Sequence, residues 1–65
     1  MSPTMIFNVF KSMFPQFKMH KYFQVKEDQN AITMEDEWGR RYFFRYVTED
    51  CWTFQSINYK RKGEK

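Results

Sequence analysis

The chain has 65 residues, which is enough for one domain with a thin core and not for two. Fourteen residues are Phe, Tyr or Trp and none is leucine, so the core has to be built largely from rings, which favour β-sheets. The net charge of +3 is weaker than that of a dedicated nucleic-acid binder, and the single cysteine excludes a disulfide-stapled domain and favours the reducing cytoplasm.

The first predicted element is a helix over residues 3–14. Ser2 supplies a capping hydroxyl, Pro3 suits a first helical turn, and Pro15 prevents continuation. Apolar residues recur at the spacing of one helical face, namely Ile6, Val9, Phe10 and Met13. We expect this face to dock on a sheet; insertion into a partner's groove and contact with a membrane surface are the alternatives.

Four strands are predicted after Phe17, where the apolar period changes from helical to alternating. They cover residues 20–27, 31–36, 41–47 and 51–59, separated by polar turn residues. The predicted fold is α+β, a short N-terminal helix followed by a four-stranded antiparallel β-meander with the helix packed on one face. A small SH3-like or OB-like barrel is the alternative. We assign residues 1–62 to this domain and residues 63–65 to a frayed tail.

The last hairpin allows two registers, which differ in the face that receives the rings of the fourth strand. A two-residue loop puts Trp52 on the face of the arginines. A three-residue loop needs Asp50 in the left-handed conformation, and it pairs Tyr46 with Trp52 and Phe44 with Phe54. We favour the three-residue loop because it joins the rings into one continuous face.

One face of the predicted sheet forms the core under the helix. Its residues are Phe23, Val25, Ile32, Met34, Phe44, Tyr46, Trp52 and Phe54. The other face carries Phe43 between Arg41 and Arg45, and we interpret Phe43 as an exposed recognition ring. Cys51 is expected to be a buried or half-buried strand residue, and His20 an ordinary residue at a strand entry.

The charges separate between the two ends of the meander, because its turns alternate between them. The acidic end collects Glu27, Asp28, Glu49 and Asp50. The basic end collects Lys18, His20, Lys21, Arg40, Arg41, Lys60, Arg61 and Lys62, against only Asp36 and Glu37. Such a bipolar domain offers docking surfaces to partners of either charge.

The residue types do not favour catalysis, a metal or a cofactor. His20 and Cys51 are the only residues of their kinds and are predicted at opposite ends of the sheet. The carboxylates at 35–37 lack the spacing of a calcium loop, and there is no glycine-rich phosphate loop. We therefore expect the protein not to be an enzyme. We expect no membrane partner either, because Asn8 and Lys11 interrupt the N-terminal apolar stretch.

The function predicted from these patterns is that of a small cytoplasmic binding protein that regulates or inhibits a larger protein by direct protein–protein contact. The expected partner has an acidic surface, and a homodimer is a further candidate because the core is thin and the sheet has free edges. The predicted partner-binding residues are Phe43, Arg41, Arg45, Arg40, Lys21, Lys60, Arg61 and Lys62. The alternative is a nucleic-acid-binding module, since residues 39–46 interleave arginines with rings.

Overall fold

A computed structural model describes residues 2–57. They form one helix and four strands: α1 (Pro3–Met13), β1 (Met19–Gln24), β2 (Ala31–Asp36), β3 (Arg41–Thr48) and β4 (Cys51–Ser56). The strands make one antiparallel sheet in the order β1-β2-β3-β4, which confirms the α+β class and the meander. Over these residues β1 and β4 are edges, so the sheet is not a closed barrel. The predicted end of the fourth strand at Tyr59, the cations Lys60, Arg61 and Lys62, and the tail 63–65 lie outside the described residues.

Helix α1 begins and ends as its capping signals predict. The Ser2 hydroxyl accepts a hydrogen bond from the Met5 N–H at 3.2 Å. At the other end the Phe14 N–H donates to the Phe10 carbonyl at 2.8 Å, and Pro15 follows. The helix packs on the sheet, as expected. Within residues 2–57 no helix has the length and apolar character that crossing a bilayer requires.

The core lies between α1 and the two central strands. Its fully buried residues are Ile6 and Phe10 from the helix, Ile32 and Met34 from β2, and Phe44 from β3. Rings close the remaining space: Phe10 lies 5.2 Å from Phe44 and 5.0 Å from Phe54 between ring centroids. Aromatic rings therefore pack around the three buried aliphatic or thioether side chains, Ile6, Ile32 and Met34, as expected of a sequence without leucine.

In β1, the residues that face the helix are the ones predicted to face away from it. Tyr22, rather than Phe23, pairs with the buried Met34 and packs against the core. Its ring stacks on Phe7 of the helix at 4.5 Å. The cause is a β-bulge after Met19, where one extra residue in β1 shifts the alternation. Phe23 is consequently 41% exposed on the face turned away from α1.

Val25 differs from its prediction as well. It follows the end of β1 and is half-buried, so it is not a residue of a core strand. Its N–H still donates to the Ala31 carbonyl at 3.4 Å. The turn beyond it is closed by Asp28, whose carboxylate accepts from the Asn30 N–H at 2.9 Å.

The β3–β4 hairpin has the predicted register and a different turn. Tyr46 pairs with Trp52, as expected of a continuous aromatic face. The left-handed conformation predicted for Asp50 is wrong, because no non-glycine residue within 2–57 has a positive φ. The connection is a two-residue turn between the paired Thr48 and Cys51, and the register shifts by one residue between Tyr46 and Thr48. A bulge in β3 therefore supplies the extra residue that was assigned to the loop.

Candidate binding surfaces

The sheet face turned away from α1, called the open face below, carries the predicted recognition residues. Its side chains stand in three rows across the strands. The rows are Lys21–Glu35–Arg41, Phe23–Thr33–Phe43–Gln55 and Ala31–Arg45–Thr53. Phe43 thus lies between the rows of Arg41 and Arg45, and Phe23 joins it in the middle row.

Phe23 is a more accessible ring on the open face than Phe43. Phe43 is half-buried between Thr33 and Gln55 of the neighbouring strands, so it is less exposed than predicted. Phe23 lies on the edge strand, and the Arg41 guanidinium stands over its ring at 5.4 Å from the centroid. Phe23 was predicted to lie in the core, because strict alternation does not reveal the bulge in β1 that reverses its face.

The three arginines predicted to bind a partner each contact a carboxylate of the same chain. The pairs are Arg41–Glu35 (3.5 Å), Arg45–Asp28 (2.6 Å) and Arg40–Asp36 (2.7 Å). A hydrogen bond from the Asn30 N–H and the bond from Arg45 lower the pKa of Asp28 below its ordinary value. Each guanidinium has five N–H donors and commits only part of them to its carboxylate, so the arginines are oriented while retaining donors.

Asp36 organises the turn between β2 and β3, which lies at the basic end. Its carboxylate is 8% exposed and accepts hydrogen bonds from the N–H groups of Trp38 at 2.9 Å and Arg40 at 2.8 Å. Its second oxygen accepts from Arg40 Nε at 2.7 Å. Burial raises the pKa of Asp36, but these bonds from Arg40 and Trp38 outweigh burial and hold it below its ordinary value. The turn is completed by Gly39, which has a φ of 85°.

Trp38 projects from this fixed turn with 73% of its surface exposed. A groove of about 360 Å³ lies on one side, lined among others by Phe17, Lys18 and Tyr42. A second groove, of about 330 Å³, lies on the other side and includes His20 and Lys21. The role of Trp38 is not predicted from the sequence, because one ring in a turn makes no periodic pattern. The available signal was a large ring between a turn-forming Asp36 and Gly39.

The groups with catalytic or ligating potential are not brought together in the described residues. Cys51 is exposed rather than buried or half-buried, because it starts β4 directly after the hairpin turn at an open edge. His20 is exposed at the bulge of β1, at the opposite end of the sheet. Within residues 2–57 no three His, Cys, Asp or Glu side chains are grouped to hold a metal ion.

The open face and the Trp38 turn each combine accessible rings with cations. Comparison of the chain with protein-family models, with curated proteins and with solved structures gives no match. We therefore infer function from the side chains of these two surfaces.

Proposed function

We propose that this chain is a non-enzymatic binding protein that regulates or inhibits a larger protein by direct contact. One observation carries the proposal: Phe23 and Phe43 stand beside Arg41 on the sheet face turned away from α1. Aromatic residues and arginine are enriched at the energetic centres of protein interfaces. Trp38 adds an exposed ring on a turn whose backbone is already fixed, since its N–H donates to Asp36.

The charges on the open face favour a partner with acidic groups around an apolar patch. The open face has three cations and two carboxylates, so its net charge is positive. The cations are Lys21, Arg41 and Arg45, and the carboxylates are Glu35 and Asp28. Internal ion pairs hold the guanidinium groups in place, which reduces the entropy lost when they meet a partner carboxylate. We further propose that Lys60, Arg61 and Lys62 add to this attraction, and that the protein acts in the cytoplasm, where a lone thiol stays reduced.

The test is affinity capture from a nuclease-treated extract with matched variants. Wild type should retain a discrete protein, and the isolated pair should bind at a measurable Kd by calorimetry. Phe23→Ala and Arg41→Glu should each weaken that Kd at least about tenfold, as expected for an interface hot spot. Lys26→Glu, an equal charge change at an exposed position outside the open face, should leave it unchanged. A partner that binds all four proteins equally would refute use of the open face.

The alternative function is that of a nucleic-acid-binding module, and the surroundings of Trp38 favour it as second candidate. An exposed ring beside Lys18 and Lys21 matches the combination with which single-strand binders stack bases and neutralise phosphates. A fluorescent oligonucleotide should then bind with an affinity that falls steeply with salt, and Trp38→Ala should abolish binding. Absence of binding at low salt would eliminate this alternative and leave the first proposal standing.

A further inference from the structure

We propose that β4 is the interface of a symmetric dimer, in which β4 of a second copy pairs antiparallel with it and extends the four-stranded sheet to eight strands. This interface is the backbone edge of β4; of the open face it includes only Thr53 and Gln55, and Phe23, Arg41 and Trp38 take no part in it. It therefore stands independently of the proposed function.

The backbone of β4 offers a regular row of donors and acceptors along its outer side. The Ile57 N–H donates to the Arg41 carbonyl at 2.9 Å, which fixes the hydrogen-bonding phase of the β3–β4 pair. Because bonded and non-bonded pairs alternate in an antiparallel ladder, residues 53 and 55 also turn their backbone groups to β3. Trp52, Phe54 and Ser56 then direct their N–H and C=O groups outward, where no described strand meets them.

The two edges of the sheet differ in their protection against such pairing. β1 has a bulge after Met19 and carries His20 and Lys21, and bulges and charges are the devices with which edge strands avoid other strands. Strand β4, with the sequence CWTFQS, has no charged residue and no proline, and its irregularity lies in the partner strand β3. Within residues 2–57, β4 is therefore the only edge strand without a bulge or a charged residue that would hinder pairing with a further strand.

The strand is complementary to a second copy of itself. A two-fold axis perpendicular to the sheet keeps both helices on one side and pairs residues of the same face. The register centred on Phe54 pairs residues 51–57 completely, with Trp52 opposite Ser56 and Thr53 opposite Gln55. No charged side chain meets another along this pairing, so like charges do not oppose it.

A second copy would also cover the least protected part of the aromatic face. The backbone of α1 lies over β1, β2 and β3, and above β4 only side-chain rings reach the sheet. Phe14 contacts Trp52 at 5.4 Å between centroids, yet Trp52 stays 40% exposed. The partner's Trp52 and Phe54 would extend the ring cluster across the two-fold axis.

Charge complementarity favours a second copy over an unrelated strand. Antiparallel pairing brings the Glu49–Asp50 turn of one copy beside the Ile57 end of the other. The sequence after Ile57 continues with Lys60, Arg61 and Lys62. Glu49 and Asp50 of one copy would thus lie beside the point from which the sequence of the other copy continues toward these three cations.

Sedimentation of the full chain over a range of concentrations tests the proposal. Wild type should shift from the 8.2 kDa monomer to a dimer. Ser56→Pro removes an outward N–H and should weaken dimerisation at least about tenfold, whereas the control Ser56→Ala keeps the N–H and should dimerise as wild type does. A wild-type chain that is monomeric at about 1 mM, or a Ser56→Pro chain that folds and dimerises normally, would overturn the proposal.

Disulfide trapping provides a readout that does not depend on the proline variant. In a Cys51→Ser background, Thr53→Cys and Gln55→Cys chains are mixed and oxidised. Opposed non-bonded residues lie about 4.5 Å apart between Cα atoms, within disulfide reach, so mixed dimers should form in preference to either homodimer. If mixed disulfide-linked dimers form no more often than random collision predicts, the proposed register and interface are refuted.

Discussion

Phe43 and Phe44 are neighbours in sequence on opposite faces of β3, and truncating each to alanine should have unequal effects. Phe44 is fully buried and has five rings within 5.2–6.4 Å between centroids. Phe43 is half-buried on the open face. Loss of the Phe44 ring leaves a cavity, whereas the space of the Phe43 ring is open to water.

The magnitudes follow from this difference in burial. Phe44→Ala should lower the free energy of unfolding by about 3–5 kcal/mol, the cost of removing a fully buried ring. Phe43→Ala removes a half-buried ring and should cost about 1–2 kcal/mol. A chain of this length has roughly 3–10 kcal/mol of total stability, so Phe44→Ala approaches global unfolding. Each kcal/mol corresponds to about 4–8 °C in Tm.

Urea denaturation followed by far-ultraviolet circular dichroism measures both variants against wild type. If Phe44→Ala is unfolded without urea, Phe44→Leu gives a measurable intermediate loss of about 1–2 kcal/mol. Equal losses for Phe43→Ala and Phe44→Ala would refute the assignment of faces in β3. A Phe43→Ala loss of about 3 kcal/mol or more, the range of a fully buried ring, would show that Phe43 is a core residue and remove it from the candidate binding surface.

Three further outcomes are expected. Hydrogen bonds lower the pKa of Asp36 in the folded chain, so the ionised carboxylate stabilises the fold fully above pH 3.8, and this stabilisation is lost as the pH falls further. In thermal melts, the Tm of Asp36→Asn should therefore decrease less steeply than that of wild type as the pH is lowered. Gly39→Ala should lower the free energy of unfolding by about 1 kcal/mol in urea titrations, because a φ of 85° strains any residue with a side chain. Space is not the cause, since the nearest atom to an added Cβ is a Glu35 carboxylate oxygen at 4.0 Å. Gly39→Asn should lower the free energy of unfolding by a smaller amount. Cys51 should react fully with a thiol reagent without denaturant, and protection of Cys51 would contradict its exposure.

Local signals in the sequence were sufficient for the helix and for the order of the strands. Ser2 and Pro15 set the limits of α1 through capping and the missing N–H, which act within one turn. The turn residues between strands likewise act locally. The register of β4 was predictable because continuity of the rings decides it, although the bulge in β3, rather than the conformation of Asp50, provides the extra residue.

Bulges and cross-strand ion pairs were not predictable from the same signals. A strict alternation of period two put Phe23 in the core, and one extra residue after Met19 reverses that assignment. The pairing of Arg45 with Asp28 joins residues 17 positions apart, so no sequence window reveals it. The candidate binding surfaces consequently include Phe23 and Trp38, and the arginines predicted to bind a partner pair with carboxylates of the same chain.

The order of the sheet also bears on how the chain folds and opens. Every strand pairs only with its neighbours in sequence, so each hairpin closes a short loop and long loop closures are few. Helix α1 depends on more distant contacts, such as the bond between the hydroxyls of Thr4 and Tyr22 at 2.7 Å. We therefore expect amide hydrogens of α1 to exchange faster than those of β2 and β3, because the helix can detach as a separate unit while the central strands stay paired.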